Sequence, residues 1–139
     1  MKSHSVVVDT NLVFSALVSK SSGIRDVLFE NSMTFYCPNY LITEIYTHKE
    51  KLLKVSKLTQ AELYLYFNGI IERINFVPLD FISTESRQKA YDLCKDVDVK
   101  DIPFVALAIE LEVAIWTGDK KLKAGLRRNN FENFYEPTF

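Results

Sequence analysis

The sequence predicts an α/β domain with a mostly parallel sheet, on three observations. Short apolar runs rich in β-branched and aromatic residues alternate with segments whose apolar residues recur at helical spacing. The run Val6-Val7-Val8 ends abruptly in Asp9 and passes at once into a helical pattern, as a buried parallel strand does at its carboxyl end. No internal repeat or linker interrupts the alternation, so residues 1–139 are expected to form one domain.

Taken in order, residues 4–9 read as strand one. Residues 11–18 follow as a short helix, with Leu12, Ser15, Ala16 and Ser19 at helical spacing, and Ser21-Ser22-Gly23 breaks it. A second helix covers 24–30, with Ile24, Val27 and Leu28 on one face. Strand two covers 34–37 and stops at Pro38. A long helix is expected over 39–54, its apolar stripe marked by Leu41, Ile45, His48 and Leu52.

Residues 60–73 form another helix, with Leu63, Phe67, Ile70, Ile71 and Ile74 at helical spacing, and 75–79 form strand three. Thr84 can N-cap a helix that runs through residue 94. After a polar loop at 96–100, a helix spans 101–112. Pro103 fits only its first turn, which fixes where that helix starts. Strand four covers 113–117, Gly118 turns the chain, and 120–128 form the last helix. Phe134-Tyr135 adds a short edge strand.

Bulk properties narrow the class. Hydrophobic residues at 47% and charged residues at 25% match an ordinary globular domain, which excludes a disordered chain. No apolar run is long enough to span a membrane and no apolar segment follows the first residues, so a cytoplasmic protein is expected. Cys37 and Cys94 lack metal or redox spacing and read as reduced core residues. The formal net charge of −1 offers no global attraction to nucleic acid. Basic runs do follow two acids: Lys49, Lys51, Lys54 and Lys57 after Glu44, and Lys120, Lys121, Lys123, Arg127 and Arg128 after Asp119. Such runs are commonly solvated helix faces.

Four acidic positions carry the chemistry. Asp9 and Asp119 leave strands one and four, and Glu44 and Asp101 stand in the first turns of helices. Each has an ordinary explanation, as an N-cap or as an acid suited to the helix dipole. Asp98 can take over the capping near Asp101, leaving Asp101 free. Together, however, the four meet at the carboxyl edge of a parallel sheet, where ligands of such folds bind. Ionised carboxylates repel by roughly 4 kcal/mol per pair at about 4 Å and an effective dielectric near 20. They therefore need a cation or retained protons. Oxygen-only donors suit Mg²⁺ or Mn²⁺. His4 and His48 are not spaced as a zinc site.

The order of these motifs resembles the PIN-domain nucleases. The opening Val8-Asp9-Thr10-Asn11-Leu12-Val13 is similar to that family's first motif. Glu44 follows in a helix after strand two, and Asp101 opens a helix that carries Ala106 and Ala108. Thr117-Gly118-Asp119 is similar to the family's Thr-x-Asp. The resemblance implies a single PIN-like domain with a five-stranded parallel sheet flanked by helices. It also implies Mg²⁺- or Mn²⁺-dependent endoribonuclease activity at Asp9, Glu44, Asp101 and Asp119, with Asp98 as an alternative metal ligand. Products would carry a 5′-phosphate and a 3′-hydroxyl. Many small members are VapC-like toxins, which often dimerise and pair with a cognate antitoxin.

On that reading a metal-activated water attacks the phosphodiester, so no histidine base is required. Thr10, Asn11 and Thr117 would position water or phosphate, or else simply serve turns and caps. Lys120 and Lys121 would contact RNA phosphates. Tyr40, Tyr46, Tyr64 and Tyr66 would supply a dimer or antitoxin surface. Two other readings compete. One is a PIN-like module that binds RNA or protein without cutting, although four intact acids argue against a decayed site. The other is a phospho-acceptor using Asp9, which acetyl phosphate or beryllofluoride would reveal. Against it, Asn11 stands where a dehalogenase-type phosphatase needs a second Asp.

Overall fold

The architecture comes from a computed structural model, which describes residues 4–138. Four strands, β1 (His4–Val8), β2 (Met33–Pro38), β3 (Ile74–Val77) and β4 (Ala114–Trp116), form one sheet in the order β3-β2-β1-β4. Every pairing is parallel. The chain moves outward from β1 through β2 to β3, then returns to lay β4 on the other side of β1. The strand order therefore reverses between β1 and β4, which is where an open parallel sheet makes a crevice.

Alternation along the strands builds a core on each face. Val6, Val8 and Trp116 point into one layer, and Val7 and Ile115 into the other. The first layer holds α1 (Thr10–Ala16), α2 (Gly23–Leu28), α3 (Tyr40–Thr47), α4 (Lys49–Val55) and α5 (Gln60–Arg73). The second holds α6 (Thr84–Cys94), α7 (Ile102–Leu111) and α8 (Lys120–Arg128). Strands buried on both faces explain the unbroken Val6-Val7-Val8 run, since burying each such side chain contributes roughly 1.5–3 kcal/mol. Arg25 is also buried. Its guanidinium donates to the carbonyls of Ala16, Ser19 and Lys20, which ties the α1–α2 loop, and it lies 4.0 Å over the Tyr66 ring. Tyr66 is thereby packed inward and is not a free partner surface.

Three expectations change in detail. The fifth strand shrinks to a single parallel bridge between Ile115 and Phe134, because β4 is three residues long and Pro137 has no N–H to extend the pairing. The long helix over 39–54 is two helices. The Thr47 hydroxyl donates to the Thr43 carbonyl, a back-bond that bends helices, and His48 leaves helical geometry. Ser83, not Thr84, caps α6, accepting from the Ser86 N–H at 3.1 Å. Among the described residues, no helix is long and apolar enough to cross a membrane.

Candidate active site

Asp9 is the residue after β1, and its backbone N–H extends the ladder to the Trp116 carbonyl at 3.0 Å. Its carboxylate is committed on both oxygens. One accepts from the Asn11 N–H at 3.3 Å as the cap of α1, and the other accepts from the Thr117 hydroxyl at 2.7 Å. Asp9 is only 8% exposed. Burial pushes its pKa up, the Thr117 and Asn11 hydrogen bonds oppose that rise, and the charge of Asp119 adds to it. Asp9 is thus a cap and a cleft acid at once.

Across the β1–β4 crevice, Thr117 is buried, and its hydroxyl oxygen accepts the Asp119 N–H at 3.1 Å. Asp119 caps α8 through the Leu122 N–H at 3.1 Å. One chain of hydrogen bonds therefore runs from the Asp119 backbone through the Thr117 side chain to the Asp9 carboxylate.

The other acids arrive on helices. Glu44 sits half-buried on α3, its pKa raised by burial and by Asp9, with His48 acting in the opposite direction. Asp98 accepts the Lys100 N–H at 3.0 Å and opens a one-turn 3₁₀ helix at Val99–Asp101. Asp101 precedes α7 and makes no side-chain capping bond. Burial, and then the charges of Asp9, Asp98, Asp119 and Glu44, push the Asp101 carboxyl up to about 7.

These acids share one cleft of about 610 Å³, lined by Asp9, Glu44, Asp98, Asp101 and Asp119. Thr10 and Asn11 also line it, as do Tyr40 and Lys100. Among the described residues, none of the five acids forms an ion pair with a basic side chain. Also among the described residues, no three His, Cys, Asp or Glu side chains are drawn together tightly enough to hold a metal by themselves. The donor chemistry nonetheless fits Mg²⁺ or Mn²⁺. The donors are all oxygen, and Mg²⁺ keeps several waters while taking only one or two carboxylates.

Lys120 and Lys121 are exposed on the first turn of α8 and do not line the cleft. Thr117 is engaged with Asp9 and Asp119 rather than facing the opening. Tyr40, expected at a partner surface, lines the cleft instead, and Lys100 joins it there. Tyr40 stands four residues before Glu44, a spacing that puts both on one helix face, and its phenol is raised by burial and the nearby acids. Lys100 reaches the cleft only because of the 3₁₀ turn, which has no periodic signature.

The family model described as PIN domain matches residues 7–136 of the chain. The chain belongs to the PIN-domain family. PIN domains are generally nucleases, and this supports a hydrolase acting on nucleic acid. No curated protein sequence matches the chain.

Proposed function

We propose that this chain is an Mg²⁺- or Mn²⁺-dependent endoribonuclease whose cleft acids are Asp9, Glu44, Asp101 and Asp119, with Asp98 beside them. One observation carries the reading: five carboxylates from four separate stretches of the chain line one cleft, and none forms an ion pair among the described residues. When bound there, a divalent cation would neutralise this charge and acidify water.

The chain's own groups divide the remaining work. Thr117 holds the Asp9 carboxylate in one orientation, and Asp119 is fixed by its capping bond. Asp101 has oxygens free of capping duty. Thr10 and Asn11 offer side-chain hydrogen bonds at the cleft wall. Lys100 supplies a cation for a phosphate at the cleft, while Lys120 and Lys121 suit phosphates further along the strand. The paired acids need no histidine. RNA as substrate rests on the motif resemblance.

The same reading includes a protein partner, either a second copy or a cognate antitoxin. Of the four tyrosines expected at such a surface, Tyr46 and Tyr64 are exposed. Mass measurement of a Tyr46→Ala, Tyr64→Ala variant tests this, and an unchanged assembly removes those two residues from the account.

The activity test is a cleavage assay on matched RNA and DNA strands with Mn²⁺, comparing wild type with Glu44→Gln and Asp101→Asn. Metal-dependent RNA cutting lost in both variants is expected. Equal residual cutting in all three would trace the activity to a contaminant.

A further inference from the structure

We propose that the groove between α1 and the bend joining α3 to α4 is a subsite for one unpaired base of the nucleic-acid strand, next to the phosphate held at the acidic cleft. This rests on the nuclease reading above and adds where one base of the substrate lies.

The groove holds about 350 Å³, within the roughly 300–1,000 Å³ range of sites that enclose small organic groups. Asn11 and Glu44 line both this groove and the acidic cleft, so the two spaces adjoin. A strand with a phosphate at the acids can therefore lay its neighbouring base here, past Asn11 and Glu44. Phe14 and His48 meet edge to face, with ring centroids 5.9 Å apart and planes at 78°. Phe14 is packed against the core, which fixes the pair, while His48 is exposed. Val55 adds an apolar wall that is 49% exposed. Lys51 lines the same groove and has no ion-pair partner among the described residues. An aromatic surface, an apolar wall and an unpaired cation beside a phosphate site are the elements that bind single strands through base stacking and backbone charge.

The bend at His48 is what makes this groove. In one continuous helix His48 would lie on the inward stripe with Leu41, Ile45 and Leu52. Where α3 stops at Thr47, His48 is turned out beside Phe14. A base can enter only when it is out of a duplex stack, so the substrate is single-stranded, looped or bulged.

The test uses the full chain carrying Asp101→Asn, with Mg²⁺, and a short single-stranded RNA containing one 2-aminopurine. His48→Ala, His48→Phe and Lys51→Glu are added to that background, and each fold is checked by its thermal melt. Quenching of 2-aminopurine on binding is expected. His48→Ala should weaken binding about tenfold, His48→Phe should retain it, and an abasic site at the probe position should weaken it to a similar degree. The strand should lose affinity for Lys51→Glu more at low salt than at high salt. Binding indifferent to all of these changes would overturn the subsite and leave the groove to a protein segment. No binding at all would overturn it as well. Cleavage is read separately with Asp101 intact. Base-sensitive binding without cutting would keep the subsite and remove the nuclease reading, and cutting with base-indifferent binding would do the reverse.

Discussion

The Thr117 hydroxyl donates to Asp9 across 2.7 Å and joins the exits of β4 and β1. This bond forms at the point where the strand order reverses, and the Asp119 N–H donates to the same hydroxyl oxygen. Two of the acids that a cation would draw on are thus held relative to each other by a side chain that is not itself acidic.

Thr117→Val removes that donor while keeping the shape. A hydrogen bond to a charged group contributes roughly 1.5–3 kcal/mol, so urea unfolding at neutral pH should show a loss of that order. Thr117→Ser should retain most of the stability. Cleavage should fall in the valine variant and largely survive in the serine variant. Equal behaviour of the two would mean the hydroxyl has no part in holding Asp9.

The acid cluster makes stability depend on pH with a definite sign. The Asp101 carboxyl is raised from an ordinary value of 3.8 to about 7, and Asp9 and Glu44 are raised too. Between those limits the folded protein binds more protons than the unfolded chain, so stability falls as pH rises. In divalent-free buffer, unfolding free energy should decline from about pH 4 to about pH 7. Asp101→Asn should flatten the decline and leave the variant more stable than wild type at pH 7.5. A wild type that gains stability over this window would place the acids in compensated surroundings.

Lys100 should behave as a phosphate contact. Lys100→Ala is expected to weaken RNA binding alike for different sequences and to lower the slope of log affinity against log salt by about 1. Lys120→Ala with Lys121→Ala should have a smaller effect on short strands, since neither residue lines the cleft. Equilibrium binding over a salt series measures both. An unchanged slope for Lys100→Ala would show that its ammonium points elsewhere in the bound state.

Gly125 sets how closely α8 approaches the loop before Asp98. A Cβ there would collide with the Val97 side chain, which has to give way. Gly125→Ala should therefore destabilise by roughly 1–3 kcal/mol through overpacking, seen as a lower denaturant midpoint. Cleavage should fall as well, because α8 carries Asp119 at its start and the displaced loop carries Asp98 and leads to Asp101. A second change, Val97→Ala, should recover both.

The fold was legible where two signals agreed. The helix over 60–73 is found at those bounds because Thr59 forms a capping box with Glu62 in front of an amphipathic pattern. Val6-Val7-Val8 read as a buried strand because no polar residue interrupts it. The bend at His48 was hidden, since the apolar stripe continues through it and only the Thr47 back-bond reveals it. The resemblance favours Asp101 over Asp98 because Ala108 lies seven residues later, and Asp98 caps the 3₁₀ turn while Asp101 makes no side-chain capping bond. Lys100 and Tyr40 depended on how a turn and a helix face aim their side chains, which spacing alone conveys poorly.

The central claim is that Asp9, Glu44, Asp101 and Asp119 together take a divalent cation. Titration calorimetry of Mn²⁺ into wild type and into the Asp9→Asn, Asp101→Asn variant tests it most directly. The account predicts saturable binding to wild type that is lost in the variant, while both proteins melt cooperatively. Wild type that takes up no Mn²⁺, with or without RNA present, would contradict it.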